Sequence, residues 1–384
     1  MDIYLDNAAT TKPYDEVIEV MADYMKNCYG NPSSLHRLGL EAEKNLNEAR
    51  SGISKIINAS KEEIYFTSGA SEGNNLIIKG LSKENSHIIT TKFEHHSVLK
   101  TYEELEKCGV KVTYLNVDSN GMISLEKLKN SITKNTVLVS IMFVNNELGS
   151  IQKIEKIGKL IKEESSRAKF HVDAVQGFGK FKIDVKKMHI DALTMTGHKI
   201  HGPKGVGFLY LKKGIILNSL IHGGSQEGGL RAGTQNVPGV MALLKASEIS
   251  SKSKNENYIK VTKLLEYMVE RLKELDDISI NSSIDENHSP YILNVSFKGV
   301  RGEVLLHLLE ENNIFVSTGS ACTSKKSIAS GSYVVKAIGK CDKDAESAIR
   351  FSFDENNTKE EIDKVICILK DSLKFLRRMK RWES

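Results

Sequence analysis

The sequence predicts an α/β chain in which a mostly parallel β-sheet covered by helices is followed by a smaller α+β domain. Short apolar runs at 64–66, 88–91, 112–115, 137–144, 170–172, 192–195 and 206–211 are flanked by turn residues, as buried strands are. Segments with helical apolar spacing, such as 46–57 and 154–161, separate them, and this alternation places parallel strands under helices. The pattern changes near Ser250. There SSKSKNENY reads as a polar loop, after which Val261, Leu264, Leu265, Met268 and Leu272 fall on one face of a long helix. Strands expected at 292–297, 314–317 and 349–353 build the smaller unit.

A chain of 384 residues with 40% hydrophobic content can bury a sizeable core, so a globular enzyme of two or three domains, or of one large domain plus an appendage, is expected. The net charge of +5 comes from 54 basic and 49 acidic side chains, too small an excess to argue for nucleic acid. The basic ending Arg377, Arg378, Lys380 and Arg381 follows helically spaced apolar residues and reads as a solvated helix end. The start, MDIYLDNAATT, does not resemble a secretory signal, and the longest apolar run, 137–144, is too short to span a bilayer. Five cysteines, odd in number, widely spaced and never paired as Cys-x-x-Cys, fit a reducing cytoplasm and no structural zinc site.

The strongest chemical signal is TGHKIHGPKGVGFLYL at 196–211, where Lys199 lies between an apolar strand and a glycine-rich turn. Desolvation there disfavours the ammonium, and a neutral amine can form a Schiff base with an aldehyde. His198 beside it serves equally well as a core histidine. In FTSGASEGNN at 66–75 a strand ends in a Ser-Gly-Ala-Ser turn before a helix, so that amide groups and Ser71 form an anion site suited to phosphate. On local sequence Ser68 or Ser71 is as readily a helix cap. In FHVDAVQ at 170–176 Asp173 closes a strand, and a buried carboxylate paired with a pyridine nitrogen would keep that nitrogen protonated.

FEHHSV carries two adjacent histidines without a carboxylate or cysteine at ligand spacing, so His95 fits a ring stacked on a cofactor better than a metal ligand. Asn146 in VNNELG is either a donor to a cofactor oxygen or a turn asparagine. STGSACTSKK surrounds Cys322 with small and hydroxyl residues, unlike the apolar KVICIL around Cys367, which reads as a buried structural cysteine. An accessible nucleophile and an inert surface thiol fit Cys322 equally on this evidence.

Together these segments resemble the NifS/IscS-type cysteine desulfurases of the class V aminotransferase family. The match runs nearly end to end: YLDNAATT at 4, GNPSSLH at 30, FTSGASEGNN, EHHSV, VNNELG, HVDAVQ, TGHKIHGPKG, HGGSQEGGLRAGTQN at 222, STGSAC and IRFSF at 349. The resemblance implies an aspartate-aminotransferase-like, fold type I architecture with a seven-stranded large domain. It places the large pyridoxal-phosphate domain at 14–250, and a small domain from both chain ends, 1–13 with 251–384, that carries the catalytic cysteine.

It also implies roles. Lys199 would carry pyridoxal 5'-phosphate, Asp173 would partner the pyridine nitrogen, His95 would be the stacking base, and Asn146 and Gln176 would contact the ring oxygen. Ala70, Ser71, Thr196 and His198 would hold phosphate, joined by Thr234 from a second subunit. Arg350 would clamp the substrate carboxylate, where Ile349, Phe351 and Phe353 alternate onto one strand face and leave Arg350 on the other; Asn31 would assist. The implied activity removes sulfur from L-cysteine as a Cys322 persulfide, releases L-alanine, and passes the sulfur to an acceptor protein of iron-sulfur or thiolation pathways. Cys322 would be deprotonated by His95 or the substrate amine. A cytoplasmic homodimer is expected, with no nucleic acid or membrane partner. The alternatives are a selenocysteine lyase, another class V aminotransferase, or a non-catalytic docking scaffold.

Overall fold

Each apolar run expected in the first two thirds of the chain forms a strand in the computed structural model, which describes residues 2–319 and 331–380. After β1 (Ile3–Tyr4) come β2 (Ile64–Thr67), β3 (His87–Thr91), β4 (Lys111–Leu115), β5 (Thr136–Met142), β6 (Lys169–Asp173), β7 (Ala192–Thr196) and β8 (Gly207–Leu211). The last seven make one sheet in the order β2-β8-β7-β6-β5-β3-β4. Strand β8 runs antiparallel to both its neighbours, and the other pairings are parallel. Parallel strands buried on both faces need no alternation, which is why continuous runs such as TVLVSIM in β5 mark them.

Helices α1 (Asp15–Asn27), α2 (Arg37–Ile56), α3 (Ala70–Leu81), α4 (His96–Lys107), α5 (Leu125–Ser131) and α6 (Ile154–Glu164) separate these strands, and α7 (Val237–Leu272) follows them. One core packs Ile53, Ile157, Phe170, Phe208 and Leu243 together, and another gathers Leu76, Ile88, Tyr102, Leu138 and Leu209. The remaining elements are β9 (Ile278–Ile280), β10 (Ile292–Phe297), α8 (Gly302–Glu310), β11 (Ile314–Phe315), α9 (Tyr333–Ala337), α10 (Asp342–Glu346), β12 (Ala348–Ser352) and α11 (Lys359–Lys380). Strands β12, β10 and β9 form an antiparallel sheet, and β1 pairs in parallel with β11. A further core joins Val261, Leu265, Met268, Phe297, Phe351 and Ile366 to Ile3, Leu5 and Ala8 from the chain's beginning.

Two expectations are corrected. SSKSKNENY is not a loop but the middle of α7, which runs unbroken for 36 residues. Its first part, Val237 to Ala246, is buried in the sheet's core, and its last part, from Val261, lies in the C-terminal core. The stretch between touches those cores only through single residues, Ile249 and Tyr258, so it needs no continuous apolar face, and propagating a helix costs less than ending and restarting it. Cys367 is exposed rather than buried. On α11 the helical period turns Val365, Ile366 and Leu369 inward and leaves Cys367 on the other face, whatever its sequence neighbours are.

Candidate active site

The parallel strands end side by side, and the residues just beyond their carboxyl ends converge on a cavity of about 560 Å³. Open parallel sheets bind ligands in this position. Asp173 ends β6, Thr196 ends β7, and Lys199 follows in a single turn of 3-10 helix. His95 precedes α4, Asn146 follows β5, and the first turn of α3 supplies Ala70 and Ser71. All of these line the cavity together with Gln176, His198 and Arg350.

Lys199 Nζ donates to the carbonyls of Ala8 and Ala9 at 2.5 and 2.7 Å. Gln176 Nε2 also donates to the Ala8 carbonyl, at 2.9 Å, so the chain's first loop is tied to two residues of the cavity. Asp173 is buried; Oδ1 accepts from the Val175 backbone N–H and Oδ2 from Asn74 Nδ2. The ring of His95 caps α4 by accepting from the Ser97 backbone at Nδ1. Burial, with the opposing pull of Asp173 and a push from Lys199, holds the His95 pKa below its ordinary value.

At the other end of the cavity α3 begins without a side-chain cap, at Gly69 with φ 148° and ψ −179°. The first amides of a helix have no partner within it, and the N-terminal dipole favours an anion. Neither Ser68 nor Ser71 serves as the cap; Thr67 Oγ1 accepts from the Gly69 N–H instead. Thr196 approaches Gly69 so closely that a Cβ there would lie 3.3 Å from Thr196 Oγ1. Next to it, His198 is driven down to about 4 by burial and then by the Lys199 and Lys204 charges, so its ring is neutral.

Arg350 is buried on β12 with Nη1 donating to the Asn146 carbonyl at 2.9 Å and Nη2 to Asp6 Oδ1 at 2.6 Å. Among the described residues its buried Nε has no partner, and neither has Asn146 Oδ1. Unpaired buried polar atoms are costly, and both occur on residues that line the cavity. Ser317 exchanges backbone hydrogen bonds with Arg350, and Ser317, Thr318 and Gly319 lie on the cavity wall. Cys322 follows three positions later and lies outside the described residues. Thr234 and Asn31 do not line the cavity; both are exposed, and Asn31 Oδ1 accepts from the Ser33 N–H in a local turn.

A primary amine, a buried carboxylate, an aromatic ring, a bare helix N-terminus and an unpaired amide oxygen around one cavity fit an aldehyde of a pyridine ring that carries a phosphate. Sequence reasoning passed over Asn74, Ser97, Asp6 and Glu147. Asn74 bonds to Asp173, Asp6 holds Arg350, and Glu147 accepts from Ser332 Oγ at 2.5 Å. Burial drives the Glu147 carboxyl up to about 7.

The family model for aminotransferase class-V matches residues 3–365. The "Cysteine desulfurase IscS" of Clostridium botulinum strain Hall is 44% identical over 388 residues, covering 99% of this chain and 97% of that protein. The protein of the same name from Methanosarcina thermophila is 42% identical over 381 residues, covering 98% and 93%. Among solved structures, a "NIFS-LIKE PROTEIN" superposes with a TM-score of 0.92 at 39% identity, over 98% of this chain and 100% of that one. "SspA in complex with cysteine" superposes with a TM-score of 0.81 at 37% identity, over 93% and 100%. The sheet order, the cavity at the strand ends and these likenesses agree: the chain belongs to the aminotransferase class-V family, among its NifS/IscS-type cysteine desulfurases.

Proposed function

We propose that this chain is a pyridoxal 5'-phosphate-dependent cysteine desulfurase that takes sulfur from L-cysteine onto Cys322 as a persulfide and releases L-alanine. The observation that carries the reading is the cavity that brings Lys199, Asp173 and Arg350 together with Ser317, Thr318 and Gly319, the last of them three positions before Cys322 in the sequence. Lys199 would hold the cofactor's aldehyde, Asp173 its ring nitrogen, and Asn146 and Gln176 its ring oxygen. The amides of Ala70 and Ser71, with Thr196 and His198, would hold the phosphate. When bound, the cofactor supplies an electron sink for the charge left at the substrate's α-carbon.

The chain's own residues do the rest. Arg350 presents its unpaired Nε toward a substrate carboxylate, and this fixes which substrate bond faces Lys199. Lys199 Nζ takes the α-proton and returns it, held meanwhile near the carbonyls of Ala8 and Ala9. Asp173, kept dry by burial, places a negative charge where a protonated ring nitrogen is stabilised. The thiolate of Cys322 attacks the substrate sulfur, and the carbon–sulfur bond breaks as the new sulfur–sulfur bond forms.

Residues 14–250 form the cofactor-binding unit in this reading, and 1–13 with 251–384 form the unit that carries Cys322, with α7 crossing between them. A homodimer would bring Thr234 of a second copy to the phosphate, and the exposed Leu35 (92%) and Ile216 (88%) are apolar surface that such an interface would cover. The sulfur acceptor would be a protein of iron-sulfur or thiolation pathways in the cytoplasm. Among the described residues no helix is long and apolar enough to cross a membrane.

Purified protein supplied with pyridoxal phosphate should turn yellow, and with L-cysteine it should release alanine and gain one sulfur on Cys322 by mass spectrometry. Cys322→Ala should keep the colour and lose alanine release. Unchanged turnover in that variant overturns the persulfide route, and a colourless protein overturns the whole reading.

A further inference from the structure

Asn74 is completely buried, and each of its side-chain hydrogen-bonding groups is committed. One N–H of Nδ2 goes to Asp173 Oδ2 at 2.8 Å and the other to Ser97 Oγ at 2.9 Å, while Oδ1 accepts from Thr194 Oγ1 at 2.5 Å. The opposite amide orientation would set an oxygen against the Asp173 carboxylate, so the assignment is forced by charge.

The proton positions then follow one by one. Thr194 spends its single hydroxyl proton on Asn74, so the 3.3 Å contact with His171 Nε2 must be donated by the imidazole. Burial drives His171 down to about 3, so the ring is neutral and its bare Nδ1 accepts from Ser140 Oγ at 2.9 Å. Ser140, His171, Thr194 and Asn74 thus donate in one direction, ending on Asp173. Hydrogen bonds aligned in this way strengthen one another in a low-dielectric interior. On the second branch the Ser97 backbone N–H points at His95 Nδ1 from 3.1 Å, and a backbone amide can only donate, so that nitrogen is bare. Ser97 Oγ, which accepts from Asn74 and lies 2.8 Å from the same nitrogen, therefore gives its own proton to His95 Nδ1.

Resting on the reading of Asp173 and His95 as ring contacts, we infer that Asn74 is a positioning residue that joins them and, through Ser97, commits His95 to the tautomer protonated on Nε2. His95 therefore meets the cavity with an N–H rather than a lone pair. It enters the reaction as a hydrogen-bond donor, and deprotonation of Cys322 falls to another group, the substrate amine among them. The titratable groups around His95 are Asp173 on β6, Lys199 after β7 and His96 on its own helix, and none of them touches Nδ1.

The test uses the cofactor-free full chain with ¹⁵N-labelled histidine, read by long-range proton–nitrogen NMR, with His95→Gln serving only to assign the signal. Wild type should show Nε2 protonated and Nδ1 bare. Asn74→Ala should raise the His95 midpoint by about one pH unit, because Ser97 no longer has its proton directed at Nδ1, and weaken pyridoxal phosphate binding roughly tenfold. Thr194→Val keeps the side-chain shape, removes the proton given to Asn74 together with the oxygen that accepts from His171, and should shift both readouts in the same direction. A merely structural Asn74 would alter unfolding while leaving the titration in place. An Nδ1-protonated wild type overturns the inference, as do variants that leave both the titration and the affinity within about twofold of wild type. A wild type that binds no pyridoxal phosphate overturns the functional reading instead, and the tautomer measured without cofactor still stands or falls alone.

Discussion

Glu94 is fully buried, and Oε1 accepts from Thr91 Oγ1 at 2.7 Å and from the Met142 backbone at 3.1 Å. Oε2 has no partner among the described residues, and burial drives the carboxyl up to about 8 against the pull of those two bonds. A folded-state value above the unfolded one means that the native chain holds the extra proton, so ionising Glu94 lowers stability as pH rises from about 4.5 to 8. Glu94→Gln cannot ionise. The wild type should lose stability relative to this variant across that window, by on the order of 2 kcal/mol, measured as urea unfolding at pH 5 and pH 8. Arg350 offers a test with a kinetic readout. Its two Nη groups are held by Asn146 and Asp6, a planar fork that an ammonium cannot reproduce. Arg350→Lys should raise KM for cysteine about tenfold or more and change kcat less, in steady-state alanine release. The residues legible in the sequence, Lys199, Asp173 and Arg350, sit in segments whose local pattern already places them at strand ends or on a strand face. Asn74 carries no such mark. Its three partners come from 23, 99 and 120 positions away, and only the folded sheet brings them to it.

At the scale of elements, α3 joins the proposed phosphate site to an unusual backbone geometry. Gly69 at φ 148° and ψ −179° occupies a region that L residues rarely adopt, and Thr196 stands beside it. Gly69→Ala should therefore destabilise the chain by about 1–3 kcal/mol in equilibrium unfolding. It should also weaken pyridoxal phosphate binding, because the first turn of α3 would shift away from Thr196. Strands were legible because burial on both faces writes an apolar run into the sequence. The turn after β2 was legible as a strand-to-helix turn but not as an uncapped one, since Ser68 and Ser71 have capping chemistry and neither is used, while Thr67 bonds the amide of Gly69 instead. The middle of α7 was illegible for the opposite reason: it buries no apolar stripe, so periodicity had nothing to report. Ser247 and Ser253 instead donate to the carbonyls of Leu243 and Ile249, four residues back along the same helix.

For the molecule as a whole, the first loop of the chain links the two ends of the cavity. Leu5 accepts from the Ser352 backbone at 2.7 Å, and Ala8 donates to Ser352 Oγ at 2.9 Å, which fastens the loop to β12. Within the same loop Asp6 holds Arg350, while the carbonyls of Ala8 and Ala9 hold Lys199. Arg350 and Lys199 are thus positioned by one short segment, the first through a side chain and the second through backbone. Asp6→Ala separates the two. Arg350 would keep only the Asn146 carbonyl, and its buried guanidinium would lose the nearest negative charge. Breaking a fully buried pair costs about 3–5 kcal/mol, and because the Asp6 side chain is 22% exposed the loss here should be smaller, about 1–2 kcal/mol in urea unfolding. KM for cysteine should rise, since the guanidinium is no longer held in place. Affinity for pyridoxal phosphate should stay within about twofold, because the bonds to Lys199 come from carbonyls that the substitution leaves intact. A parallel loss of cofactor affinity would mean instead that the loop moves as one rigid piece, with Asp6 anchoring Lys199 as well as Arg350.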